Sequence, residues 1–314
     1  MPGNSYRLAL HGLAVEIVCE VDALRPALED YLGEFAVPGW PQGFTPVVGT
    51  IRTFDERQTL KGLSPAAKRT GDGDSPEIFH DAERYWLIDE RWGMSEINLL
   101  KGHWKSWVIP NASADLIRCV HVGVLWPLAQ LLRMRSLHLL PACAVGRGGR
   151  AFLILCPYSI EPELAALIRA GWRIIGQSWT AVREENGKIE LLHMPGHVER
   201  PPAPRLRSVG AHSLWVDLMQ EYDGAEQRYG WCEGVLVVES GRRPEVSMNI
   251  VDPSAAASLL KAAWPIAELH PQRTPGQFAS RLAHKCACYQ VAVSRDASEF
   301  VEAMARIGIR AYAA

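Results

Sequence analysis

The stretch Leu137–Val182 constrains the fold of this chain most strongly. It reads LHLLPACAVGRGGRAFLILCPYSIEPELAALIRAGWRIIGQSWTAV. The apolar run Arg150–Leu155 predicts a buried strand. The apolar residues after it recur at helical spacing and predict a helix over Pro162–Ala170, with Pro162 suited to a first helical turn. Trp172–Gly176 predicts a third strand, so the segment is expected to be a strand, a loop, a helix and a strand of one sheet.

The loop between this strand and helix is where a phosphate-binding loop would lie. Such a loop needs glycines that let backbone N–H groups wrap the phosphates, a lysine for their charge, and a hydroxyl for magnesium. Residues 153–164 read LILCPYSIEPEL and contain no Gly, Lys or Thr. The glycines at 146–149 precede a strand and not a helix, which predicts a β-turn. The sequence therefore keeps the outline of a nucleotide site without its chemistry.

Two blocks of residues carry a resemblance to a known family. The segment resembles the HPr kinase/phosphorylase-related proteins, a bacterial branch of the phosphoenolpyruvate carboxykinase-like P-loop group. Their core runs roughly LHA-x-AV-x-RGGRA-LLLPG-x-SG-x-GKSTLA-x-AL-x-RAGW-x-LLSDD. The matching residues are Leu137, His138, Ala144, Val145, Arg147, Gly148, Gly149, Arg150 and Ala151 at the front, and Ala166, Leu167, Arg169, Ala170, Gly171 and Trp172 at the back. Residues 230–305 match weakly, and the N-terminal part matches only in the order of its elements.

The chain departs from the family where catalysis would take place. The family's loop lysine falls near Ile160 or Glu161, and its paired aspartates, which serve proton transfer and metal binding, fall on Gln177 and Ser178. Neither of those two side chains is a usable base. The degenerate loop positions are Cys156, Pro157, Tyr158, Ser159, Ile160, Glu161, Pro162 and Glu163.

The resemblance implies a mixed α/β fold in two domains. Residues 136–314 are expected to form a degenerate HPr kinase-like domain, a mixed sheet with flanking helices. Residues 1–135 are expected to form a smaller α+β domain with an antiparallel meander of short strands. A long helix over Ala114–Arg135, capped by Ser113, is predicted to close this first domain.

The resemblance and the missing residues together favour a non-catalytic pseudokinase. Relatives often accompany peptide-modifying systems, so we expect a protein or peptide partner, a scaffolding or binding role and no cofactor. One alternative is an active serine kinase-type phosphotransferase or nucleotide hydrolase that reaches phosphate with Arg147, Arg150 or Arg200. Another is an enzyme that reuses the cleft for a non-nucleotide ligand, with His138 as a further candidate contact.

Composition narrows the class of partner. The net charge of −2 gives no electrostatic reason to expect nucleic acid or an acidic membrane surface. The seven cysteines are scattered, with one C-x-C pair at Cys286 and Cys288, which predicts reduced thiols and no metal site. The longest apolar run, residues 120–132, is too short to span a bilayer, so we expect a soluble cytoplasmic protein. The sequence does not distinguish a monomer from a homo-oligomer.

Two further features are interpreted from residue type. Among the eleven tryptophans, Trp104 and Trp107 lie on an alternating strand, where an outward-facing indole would be an interface anchor. The acidic residues Asp217, Glu221 and Asp223 have no histidine at metal-ligand spacing and are predicted to form a solvated face.

Overall fold

A computed structural model describes residues 5–40, 43–55, 68–70, 77–81, 84–110, 116–200, 214–239, 241–263 and 275–310. The chain divides into two compact units, with the division between Leu139 and Leu140. Both units are mixed α/β structures in which helices flank a sheet, as the sequence predicts.

The first unit contains an eight-stranded sheet in the order β1-β2-β3-β8-β7-β6-β5-β4 over the described residues. Its strands β4 to β8 form the predicted antiparallel meander. The bounds are β1 Ser5–Leu10, β2 Leu13–Cys19, β3 Val47–Thr53, β4 Lys68–Thr70, β5 Glu77–His80, β6 Arg84–Asp89, β7 Gly93–Asn98 and β8 His103–Val108, with helices α1 Arg25–Leu32 and α2 Leu116–Arg133.

Helix α2 widens into a π-helical turn at His121–Leu125. Such a turn frees carbonyls from the regular ladder, and side chains of the sheet bond to them. Ser106 Oγ donates to Gly123 O at 2.7 Å and Trp104 Nε1 donates to the same oxygen at 2.9 Å. By length and composition α2 could cross a membrane, but 72% of it is buried, as in a core helix. The predicted cap Ser113 lies outside the described residues.

Within its described residues, the second unit is built on a nine-stranded mixed sheet. The order is β12-β10-β11-β17-β14-β13-β9, and β19 pairs with β17 and β18. The strand bounds are β9 Leu137–Leu140, β10 Cys143–Arg147, β11 Arg150–Leu155, β12 Arg173–Gly176, β13 Thr180–Glu185, β14 Lys188–Leu192, β15 Val198–Arg200, β16 Leu214–Val216, β17 Tyr229–Val238, β18 Ser247–Val251 and β19 Ala287–Ala292. The helices are α3 Glu161–Arg169, α4 Leu218–Glu221, α5 Pro253–Ala263, α6 Pro275–Lys285 and α7 Ala297–Arg310.

Helices cover both faces of this sheet, so its central strands are apolar on both sides. Along β11, Leu153 and Leu155 face the cluster that α5 and α6 cover, whereas Phe152 and Ile154 face the cluster under α3 and α7. Burying each such side chain contributes about 1.5–3 kcal/mol. The continuous run AFLIL in the sequence is the signature of a strand buried on both faces.

The predicted strand, loop, helix and strand are confirmed. β11 and β12 belong to one sheet, and α3 directly follows β11, although β10 lies between the two strands. The predicted turn is confirmed as well, because β10 and β11 form a hairpin in which Gly148 and Gly149 both have positive φ, at 61° and 80°. Glycines adopt this conformation without steric cost.

Candidate functional site

The carboxyl ends of four strands meet at one edge of the second sheet. β11, β17 and β19 are parallel neighbours, and β12 runs in the same direction because both β11 and β12 are antiparallel to β10. In open mixed sheets, ligand sites form outside such carboxyl ends. We call this region the carboxyl edge. It brings together the predicted loop, residues 156–163, and the predicted acidic-pair positions, Gln177 and Ser178.

The N-terminus of α3 lies at the carboxyl edge, and its first turn carries two carboxylate side chains. Glu161 and Glu163 both lie in the first turn and are buried. Ser159 Oγ accepts from the Glu161 N–H at 3.3 Å and itself donates to Glu199 O. Negative charge is stabilised at a helix N-terminus. Here two glutamate side chains of the chain itself supply that charge.

Arg200 bridges the carboxylate of Glu161 to that of Glu221. Arg200 Nη2 donates to Glu161 Oε1 at 2.7 Å and to Glu221 Oε2 at 2.7 Å. The hydrogen bonds to Glu221 and Glu161 raise the pKa of Arg200, and the same contact lowers the pKa of Glu221. Arg200, predicted as a phosphate contact, is therefore occupied by two internal carboxylates. Glu221 is not the purely solvated residue that the sequence predicted.

A second arginine neutralises Glu163, which is fully buried. Arg242, in the loop after β17, donates from Nη1 to Glu163 Oε1 and to Ser294 O. Its guanidinium lies 6.0 Å from the ring centroid of Tyr158. Sequence reasoning missed Arg242 because it lies 79 residues from its partner. This ion pair joins the loops after β11, β17 and β19 across the carboxyl edge.

Gln177 has a structural role. Its Nε2 donates to Gly196 O at 2.8 Å and to Asp217 Oδ1 at 2.6 Å, and its Oε1 accepts from the Leu218 N–H at 2.7 Å. Asp217 Oδ1 also accepts from the Met219 N–H at the start of α4. Gln177 therefore anchors α4 to the end of β12. Asp217 is a helix cap, which corrects its assignment to a solvated face.

Two of the remaining predicted contacts, Arg147 and Arg150, lie away from this edge. Arg147 and Arg150 flank the β10–β11 turn, at the amino end of β11. A six-residue strand separates that turn from the carboxyl edge, a distance of roughly 20 Å. His138 lies on β9, the last strand in the sheet order. The direction of the hairpin therefore separates Arg147 and Arg150 from residues 156–163, and a ligand contact by any of these three residues stays a prediction.

The two tryptophans predicted as an interface differ in their exposure to solvent. Trp104 is 1% exposed and is held by its hydrogen bond to α2, so it cannot contact a partner. Trp107 is partly buried. Alternation along β8 places Trp104 and Trp107 on opposite faces of the sheet, but it does not reveal which face α2 covers.

We expect the Cys156 thiol to be unreactive in the folded protein. Burial raises its pKa from 9.0 to about 12, so at pH 8 roughly one molecule in ten thousand carries the reactive thiolate. Alkylation by iodoacetamide, followed by mass spectrometry of the Cys156 peptide, should be about a thousandfold slower than in guanidinium-unfolded protein. Because the folded pKa is raised, the thiol favours folding fully below pH 9 and less as the pH approaches 12. Equal rates in the two states would contradict this.

Comparisons with known proteins find similarity only among solved structures. No family model matches the chain, and no curated protein matches it. Among solved structures it is similar to the Hpr(Ser) kinase/phosphatase from Coxiella burnetii, with 10% sequence identity and a TM-score of 0.31. The match covers 56% of this chain and 94% of that one. The similarity is a distant one of fold.

Proposed function

We propose that this chain is an HPr kinase-like pseudokinase, a non-catalytic module that binds a protein or peptide partner, in a peptide-modification or biosynthetic system. The proposal combines the sequence resemblance with the internal ion pairs at the carboxyl edge. The ion pairs are the observation that carries it.

These ion pairs oppose a nucleotide in two ways. A triphosphate at the N-terminus of α3 would meet the carboxylates of Glu161 and Glu163 at the position of its own negative charge. Arg200 and Arg242, two cations of this region, are already engaged by those carboxylates. Freeing Arg242 would leave Glu163 charged and buried, which is strongly unfavourable.

The position at which such a kinase transfers a proton carries an amide in this chain. A kinase of this kind needs a carboxylate to hold magnesium and to accept the proton of the substrate hydroxyl. Gln177 supplies an amide at that position, and both ends of the amide are engaged in hydrogen bonds. Because its amide nitrogen already donates to Asp217, the geometry favours an anchoring role over chemistry at this position.

We expect ATP and GTP, each with magnesium, to bind more weakly than about 1 mM. Hydrogen bonds to charged groups contribute about 1.5–3 kcal/mol each, so losing three of a phosphate loop's donors removes roughly 5–9 kcal/mol. That is most of the 8.2 kcal/mol of a micromolar affinity. Isothermal titration calorimetry on the full chain measures this directly. A micromolar dissociation constant would favour the phosphotransferase alternative instead.

Co-purification from the native host identifies the partner. The affinity of the purified partner for the chain is then measured. Two substitutions address the predicted surfaces, Tyr158→Ala at the degenerate loop and Trp107→Ala on β8. We expect one of them to weaken binding at least tenfold while the other leaves it unchanged. If neither changes the affinity and both variants fold, neither surface is the interface. If no partner binds the full chain, the scaffolding role is wrong.

A further inference from the structure

Strand β18 forms an exposed edge of the second sheet. It pairs antiparallel with β19 on one side, and within the described part of the chain no strand pairs with its other side. Ser247, Asn249 and Ile250 are exposed, and Ile250 is 69% exposed. In an antiparallel ladder, alternate residues of an edge strand direct their N–H and C=O groups away from the sheet.

This edge lacks the features that usually prevent strand pairing. Proteins protect exposed edges with lysine, proline or inward-pointing charges. The five residues of β18 read SMNIV and carry no charge and no proline. Its neighbour β19 reads ACYQVA and is also uncharged. An unprotected edge of this kind is a template for another strand.

We infer that β18 pairs antiparallel with β18 of a second copy of this chain, about a two-fold axis at Asn249. In this register Asn249 lies opposite Asn249 of the second copy. Met248 then lies opposite Ile250, and Ser247 lies opposite Val251. A symmetric pair of this kind is isologous and closes as a dimer, joining the two sheets into one.

The side chains of β18 are self-complementary in that register. Met248 and Ile250 are two residues apart and therefore share a face. Met248 packs at the edge of the cluster under α3 and α7, together with Tyr289, which lies opposite Ile250 on β19. Pairing two copies places Met248 against Ile250 twice on that face. Cross-strand apolar pairs stabilise a sheet.

The flanking charges permit the same register. Continued past the strand, Val246 lies opposite Asp252, and Glu245 lies opposite Pro253, so no like charges face each other. Five paired residues make a small interface, below the roughly 1,200 Å² of stable complexes. The dimer should therefore be weak and concentration-dependent. It requires neither a nucleotide nor the partner proposed above.

Asn249 gives a test that is specific to the two-fold axis. The variants Asn249→Asp and Asn249→Lys each place like charges opposite one another, which destabilises a strand pair. An equimolar mixture places opposite charges across the axis. Sedimentation velocity over about 5–500 μM should show that the wild-type chain associates, that each variant alone associates at least tenfold more weakly, and that the mixture recovers the wild-type constant.

Matched controls separate this effect from a general effect of charge. Ser258→Asp and Ser258→Lys place the same charges on the exposed face of α5 and should leave association unchanged. Ile250→Lys should abolish association independently, and circular dichroism reports whether each variant folds. A wild-type chain that stays monomeric throughout would overturn the inference. So would Asn249 variants that associate like the wild type, or a mixture that does not recover.

Discussion

Arg242→Met is expected to lower the free energy of unfolding by about 3–5 kcal/mol, the usual cost of removing one partner from a buried ion pair. Glu163 has 0% side-chain exposure and would keep its carboxylate in the core without the cation. Urea unfolding at neutral pH, compared with the wild-type chain, measures the loss.

The chain supplies a matched surface control for this prediction. Arg306 and Glu302 form an ion pair on α7 at 3.4 Å with both side chains largely exposed, so Arg306→Met should cost less than about 1 kcal/mol. The double variant Glu163→Leu/Arg242→Met should regain most of the stability, because it removes both charges together. A single Arg242→Met variant as stable as the Arg306→Met control would show that the buried pair does not hold the carboxyl edge together.

Gln177→Glu is expected to cost about 2–4 kcal/mol at neutral pH although the two side chains have the same shape. The substitution replaces the Nε2 donor with a carboxylate oxygen, and that oxygen would face Gly196 O and Asp217 Oδ1 at 2.8 Å and 2.6 Å. Burial and the charge of Asp217 would raise the pKa of the new carboxyl. Stability should therefore recover, relative to wild type, as the pH falls and the group is protonated and donates again.

A second substitution tests whether donor and acceptor matching is the cause. In Gln177→Glu/Asp217→Asn, an amide nitrogen in the place of Oδ1 donates to the new carboxylate but no longer accepts from the Met219 N–H, so the cap on α4 is lost. The single variant Asp217→Asn measures the loss of the cap, and we expect the double variant to be more stable than the sum of the two single losses in a double-mutant cycle measured by urea unfolding. Additive losses would assign the effect to local strain. Recovery would mean that an acid at this position is incompatible with the site, which supports the pseudokinase proposal.

Local signals in the sequence predicted the elements that form the site. The switch from a continuous apolar run to helical spacing located β11 and α3 to within a residue or two. A strand buried on both faces gives a continuous apolar run, whereas an amphipathic helix repeats its apolar residues every three or four positions. One local signal was overlooked. The Asn186-Gly187 turn, with φ of 50° and 78°, joins β13 to β14, and Asn-Gly is a strong hairpin signal.

The sequence by itself determined that residues 153–164 contain no glycine, lysine or threonine, because that is a matter of residue type alone. Only the tertiary structure decided which residues the side chains of this region contact. Glu163 meets Arg242 from 79 residues away, and Gln177 meets Asp217 from 40 residues away. The tertiary structure likewise buries Trp104 and places Arg147 away from the carboxyl edge. Residue type and spacing fix local conformation, whereas the partner of a charge depends on which strands become neighbours, and this is decided by the packing of the whole sheet.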